Sequence, residues 1–152
     1  MARFQDFNLA IVSDLHLSEG IHPVTRRYSR NEDFFFDRSF RRFLDYLRRE
    51  SRRRRKKWKL IIAGDMIDFL QVTSLPKNGE VDFVITDRER KYGLGTEPEK
   101  TVWKLERVFQ GHQEFFEALA EFLADGNRLV IIPGNHDIEF CYPEVQDAFQ
   151  RN

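Results

Sequence analysis

Residues 59–64 read KLIIAG and stop at Asp65. A short apolar run that starts from a basic residue and ends at a carboxylate predicts a buried strand with its polar chemistry at the C-terminal end. Two other stretches share this design. Residues 8–13 read NLAIVS and stop at Asp14, and residues 128–134 read RLVIIPG and stop at Asn135. The runs are apolar at successive rather than alternate positions, which predicts strands covered on both faces, as parallel sheets require.

The gaps between these runs carry helical spacing. Residues 32–49 place Phe36, Phe40, Phe43, Leu44 and Leu47 three or four apart, with Arg41, Arg42, Asp45 and Arg48 between them. Residues 99–124 repeat the pattern with Val102, Leu105, Phe109, Phe116, Leu119 and Leu123. Thr96 as N-cap, Pro98 in the first turn and Glu99 three residues after the cap predict its start, and Gly126 its stop. Strand–helix–strand–helix–strand predicts an α/β fold with a parallel sheet and right-handed crossovers. Residues 18–31 read as a loop. Residues 71–95, with Pro76, Gly79, Gly93 and Gly95 around the alternating piece 81–86, read as an insertion of the lid or mobile-segment kind.

Composition narrows the class. A chain of 152 residues suits one domain. Its hydrophobic share of 41% and its fifteen Phe exclude wholesale disorder. One cysteine, Cys141, excludes an internal disulfide framework and reads as an inert packed thiol. No apolar run approaches the roughly 20 residues needed to span a bilayer. The opening MARFQDFNLAIVSD has no signal-peptide pattern, so the expected setting is cytoplasmic.

The formal net charge of zero hides an asymmetry. Residues 48–59, RRESRRRRKKWK, hold nine Lys or Arg and one Glu, a local charge of +8 against −8 for the remaining chain. Three readings stand for this band: a solvated helix end and strand start, a patch for an anionic membrane surface that would make the protein peripheral to it, or a nucleic-acid patch, ranked last. Because the band precedes a strand, it is expected at the sheet edge opposite the polar clusters.

Those clusters are Asp14-Leu15-His16, Gly64-Asp65-Met66-Ile67-Asp68 and Gly134-Asn135-His136-Asp137. In an open α/β sheet, ligands bind beyond the carboxyl ends of the strands, where the three clusters would converge. Carboxylate, amide and imidazole donors together suit Mn²⁺, Fe or Zn²⁺, with Mg²⁺ also open. Two cations about 3.5–4 Å apart would neutralise the carboxylates, activate a water and clamp a phosphoryl group.

Asp14-x-His16, Gly64-Asp65-x-x-Asp68 and Gly134-Asn135-His136-Asp137, in this order and each at a strand end, resemble the calcineurin-like metallophosphoesterase superfamily. The resemblance implies two divalent metal ions, Mn²⁺ foremost, and a metal-bridging hydroxide as nucleophile. Asp14 and His16 would hold the first metal, Asp65 would bridge both, and Asn135 would hold the second. His136 would contact the phosphate and protonate the leaving oxygen, with Asp137 orienting its imidazole. Asp68 would stand behind the ligands. His22 and His112 are candidate substrate contacts, each also readable as a plain loop or core histidine.

The family completes its site with later histidines, typically a lone His and a Gly-His-x-His. The chain has only His22 and His112 besides the motif histidines. The expectation is therefore the N-terminal portion, residues 1–152, of one metallophosphoesterase domain. This is a parallel β-α-β-α-β layer of an α/β/β/α sandwich with its second sheet incomplete. That implies weak occupancy of the second metal position, impaired activity and self-association through an open sheet edge. The first helix and GDMIDFL resemble the bacterial branch containing UDP-2,3-diacylglucosamine hydrolases, which act on a lipid-linked pyrophosphate. That branch commonly has Arg where this chain has His136, which favours a general phosphoesterase acting on a phosphorylated small molecule. A nucleic-acid phosphodiesterase and a non-catalytic scaffold are the alternatives.

Overall fold

The computed structural model describes residues 6–151; residues 1–5, where the leader-sequence reading begins, and Asn152 lie outside it. Three strands form one parallel sheet in the order β1-β2-β3: β1 (Asn8–Val12), β2 (Trp58–Ala63) and β3 (Arg128–Ile132). Leu60 and Ile62 of β2 are fully buried, with Ala10 and Val12 of β1 and Leu129 and Ile131 of β3 packed beside them. The register pairs Ala10 with Leu60 and Leu60 with Leu129, so these positions share one face.

Helix α1 (Asp37–Arg54) joins β1 to β2, and α3 (Pro98–Gly111) with α4 (Gln113–Ala124) joins β2 to β3. Helices α1 and α4 pack on each other, with Phe40 stacked on Phe115 at a centroid distance of 4.0 Å. Helix α5 (Pro143–Arg151) packs against α3. Among the described residues no helix is long and apolar enough to cross a membrane.

Four expectations need correction. First, the sheet is covered on one face only. Leu9 (59% exposed) and Ile11 (65%) on β1, with Val130 and Ile132 on β3, remain open on the other face. The apolar runs anticipate a second cover that the described residues do not supply.

Second, α1 starts at Asp37 and not at residue 32, and it runs on to Arg54. Glu32 is drawn out of the helix because its carboxylate is buried and collects bonds from Ser18, Gly20 and Phe34.

Third, the helix expected over residues 99–124 is two helices broken at His112 (φ −116°, ψ 38°). Gly111 lies against the chain at Glu19, where an added Cβ would fall 1.7 Å from the Glu19 carbonyl oxygen, and the Gly111 carbonyl accepts from Ile21 N–H at 3.0 Å. Backbone approach this close needs glycine, and it diverts the carbonyl from continuing the helix. The Thr96 cap is also absent: Glu97 precedes Pro98 with no side-chain cap bond, while Gly126 (φ +82°) does occupy the left-handed stop after α4.

Fourth, Cys141, expected as a packed thiol, is exposed. The insertion itself contains a helix. Thr86 and Glu89 form a reciprocal capping box that starts α2 (Asp87–Tyr92). Glu89 also accepts from Lys100 Nζ at 2.6 Å and Gly95 N–H at 2.8 Å. The Lys100 bond, with those from Thr86 and Gly95, outweighs burial and holds the Glu89 carboxyl at about 2. This part of the insertion is thus tied to α3.

The basic band ends α1 and begins β2, at the sheet edge opposite the strand ends. Much of it is paired: Arg48 with Asp45, Glu121 and Asp125; Arg52 with Asp125; Arg53 and Arg54 with Glu50.

Candidate metal centre

Hydrogen bonding between β1 and β2 continues past the strands into the polar loops. His16 N–H donates to the Asp65 carbonyl (2.9 Å), Leu17 N–H to Met66 (3.0 Å) and Asp68 N–H to Leu17 (2.8 Å). Both loops turn through left-handed backbone at non-glycine residues: Asp14 (φ 53°), His16 (φ 52°) and Asp65 (φ 52°). Such residues are uncommon and persist where surrounding bonds over-determine them, often at functional sites. Three of the five non-glycine positive-φ residues among those described are expected metal ligands, so the strain coincides with the candidate site.

The outcome is convergence. Ligand atoms of Asp14, His16 and Asp65 lie within 4.8 Å of one another, and so do those of His16, Asp68 and His136. Asp65 is pressed against the third loop: its Oδ1 accepts His136 N–H at 2.9 Å. A Cβ on Gly134 would fall 2.1 Å from Asp65 Oδ1, so glycine there makes room for the carboxylate. The Asp14 carboxylate has no hydrogen bond among the described residues, and neither does Asp65 Oδ2. Acidic oxygens left free beside an imidazole form a donor set that fits a divalent cation. Asn135 is exposed on the same turn, between Gly134 and His136.

The structure brings His136 to this cluster but gives it a different partner from the expected one. His136 Nδ1 bonds Asp68 Oδ2 at 2.8 Å, while Asp68 Oδ1 accepts from the Leu70 and Gln71 amides. Asp68 therefore fixes the ring and leaves Nε2 as the free nitrogen. The His16 ring meets the His136 ring edge-on, 4.8 Å between centroids. Asp137 does not touch the imidazole. It is fully buried and accepts from Gly134 N–H (2.6 Å), Met66 N–H (2.7 Å) and Ile67 N–H (3.4 Å). It is a clamp between the second and third loops, because a buried carboxylate can satisfy several amides at once. Of the two clusters, the one with Asp14 and Asp65 is the better cation site, since the Asp68 oxygens are already engaged.

Neither remaining histidine stands among these ligands. His112 has no exposed surface, so as a substrate contact it is corrected by burial. Its Nδ1 meets Asp37 Oδ1 at 3.0 Å and its Nε2 meets Glu32 Oε2 at 3.1 Å. Burial opposes the charged imidazolium, but the bonds to Asp37 and Glu32 prevail and raise its pKa to about 9. Burial likewise opposes the Glu32 anion, and the His112 bond and backbone amides still hold its carboxyl below the usual range. His22 is exposed, and its Nδ1 accepts from the Val24 and Thr25 amides, a turn role.

The sequence reading missed Glu32, whose position in a helical pattern hid its support of the loop after His16. It also missed Lys104, fully enclosed with Nζ donating to the Phe69 carbonyl at 3.1 Å, next to Asp68. A lysine in phase with Leu105 and Val108 was the only hint.

A parallel sheet with carboxylates and imidazoles gathered at its C-terminal edge defines a metal-site α/β protein. The sequence model of the calcineurin-like phosphoesterase family matches residues 7–152, and the chain belongs to that family. Membership implies metal-dependent phosphoester hydrolysis. No curated protein and no solved structure matches the chain.

Proposed function

We propose that this protein hydrolyses a phosphoester of a small molecule, with Asp14, His16, Asp65 and Asn135 holding two divalent cations, Mn²⁺ foremost. The observation that carries this reading is the clustering of Asp14, His16 and Asp65 donor atoms within 4.8 Å beside the Asp68–His136 pair. Bound divalent cations supply Lewis-acid polarisation of a phosphoryl oxygen and a more acidic water. The chain's own residues do the rest. Nε2 of His136 faces the phosphate and donates a proton to the leaving oxygen, and Asp68 at Nδ1 holds the ring in that orientation. Asp137 and Gly134 keep the third loop seated so that Asp65 and His136 stay in register.

The test is release of p-nitrophenol from p-nitrophenyl phosphate and from bis(p-nitrophenyl) phosphate with added Mn²⁺. Hydrolysis is expected to vanish in excess chelator and to return with Mn²⁺. Turnover that persists unchanged in chelator counts against the reading.

The two metal positions should differ. His16 joins Asp14 and Asp65 at the first, whereas among the described residues Asp65 and Asn135 alone stand for the second. Titration calorimetry with Mn²⁺ should therefore show one tight site and a second that is weaker by at least roughly tenfold, about 1.4 kcal/mol. Two equally tight sites would contradict this ligand assignment.

A further inference from the structure

Lys104 is a fully enclosed cation on α3, beside the core residues Trp103, Leu105 and Val108. It forms no ion pair among the described residues. Burial pushes its pKa below the ordinary lysine range, against the pull of the Glu139, Glu97, Glu89 and Asp68 carboxylates. Enclosing an ammonium without an ion pair disfavours folding, so packing does not account for a lysine here.

Its one hydrogen bond among the described residues does. Nζ donates to the Phe69 carbonyl at 3.1 Å. That carbonyl and the Leu70 N–H belong to one peptide unit, which is planar and trans, so the two point in opposite directions. With the carbonyl turned to Lys104, the N–H is turned to Asp68, and it donates to Oδ1 at 3.0 Å. The other carboxylate oxygen, Oδ2, meets His136 Nδ1 at 2.8 Å. Phe69 N–H donates to the His136 carbonyl at 3.4 Å, which seats the same turn on the third loop. Three hydrogen bonds and one peptide thus run unbroken from the ammonium to the imidazole. Each strengthens the next, because a donor on the carbonyl polarises the N–H of the same peptide.

We infer that Lys104 is a positioning residue for His136: through the Phe69–Leu70 peptide it aims the Asp68 carboxylate at Nδ1. Its consequence for catalysis rests on the phosphoester-hydrolase reading.

One measurement needs no turnover. Long-range proton–nitrogen NMR spectra of the chelator-treated protein at about pH 8 read which ring nitrogen of each histidine carries a proton. The His136 signals are those absent from His136→Gln, and they should show the proton on Nδ1. A native His136 protonated on Nε2 overturns the inference before Lys104 is changed. Lys104→Met keeps the volume of the stem and removes the donor. In this variant the His136 signals should move towards a mixture of the two tautomers, while those of buried His112 stay in place and report a kept fold. Unmoved His136 signals in the folded variant overturn the inference.

Kinetics separate positioning from plain structural support. With Mn²⁺, Lys104→Met should lower kcat for p-nitrophenyl phosphate roughly tenfold, because the orienting anion is disturbed but not removed. KM should stay unaltered, because the enclosed side chain does not reach the substrate. The same substitution made in Asp68→Asn should cost no further kcat, since residues that act in one chain of contacts are not additive. A full second loss in the Asp68→Asn background gives Lys104 a general structural role and overturns the inference. If the native protein does not hydrolyse the substrate, the hydrolase reading fails, and the spectra still decide whether Lys104 sets His136.

Discussion

Replacing His112 with leucine lowers the free energy of unfolding by about 3–5 kcal/mol at neutral pH, the range found when one partner of a buried ionic group is removed. The side chain has no exposed surface and sits between Glu32 and Asp37, so the leucine leaves two buried carboxylates without their shared cation. Domains of this size have roughly 5–15 kcal/mol in total, so the loss is a large fraction of it. It also reaches the site, because Glu32 holds the Ser18 and Gly20 amides just after His16. Urea unfolding followed by circular dichroism reads the effect, and a change below about 1 kcal/mol would refute the ion-pair account.

The pH dependence separates the native protein from the variant. In the native protein the His112 pKa is raised from 6.5 to about 9. A raised pKa means that the stabilisation is fully present below pH 6.5 and is lost as pH rises through about 9, in an amount of roughly 3 kcal/mol. The leucine variant lacks this alkaline loss. Its unpaired carboxylates favour the protonated form when buried, so the variant recovers stability as pH falls. A variant that shows the native alkaline profile would exclude His112 as the titrating group.

The three strand ends could be found in the sequence because each is a sharp change, from an apolar run to Asp14, Asp65 or Asn135. Neighbouring parallel strands then force the clusters together. What the sequence hid depends on tertiary contacts. Nothing in the spacing of residues 99–124 shows that the Gly111 backbone must meet Glu19, though Gly-His inside an apolar helix stripe is a weak sign of a break. The capping signature at Thr96 and Glu99 was real chemistry in the wrong place, because Thr86 and Glu89 offer the same pattern and Pro98 already sets the start of α3. The open face of the sheet could not be read from the apolar runs, although the resemblance, with its incomplete second sheet, implied it. An apolar run at Leu9 and Ile11 states a preference for burial but not what provides it. The partner of His136 was misjudged because adjacency in sequence favoured Asp137, whereas the turn points that carboxylate inward and leaves Asp68, from a different strand end, to meet the ring.

That exchange of partners gives the second large effect. Asp137→Ala removes a buried acceptor of three amides, those of Gly134, Met66 and Ile67. Each orphaned buried donor costs about 1–3 kcal/mol, and the three share one carboxylate, so the combined destabilisation should be about 3–5 kcal/mol. Asp68→Asn should behave in the opposite way. The asparagine keeps an oxygen for the Leu70 and Gln71 amides, so stability should change by less than about 1 kcal/mol. Losing the carboxylate at His136 Nδ1 should nevertheless lower kcat roughly 10–100-fold, the usual cost of removing the anion that orients a site histidine. Thermal unfolding and phosphoesterase kinetics on the two variants give a crossed pattern: one protein unstable, the other stable but slow. If Asp137→Ala folded normally and lost only activity, the buried carboxylate would belong to the imidazole after all, and its three amide bonds would count for little in the fold.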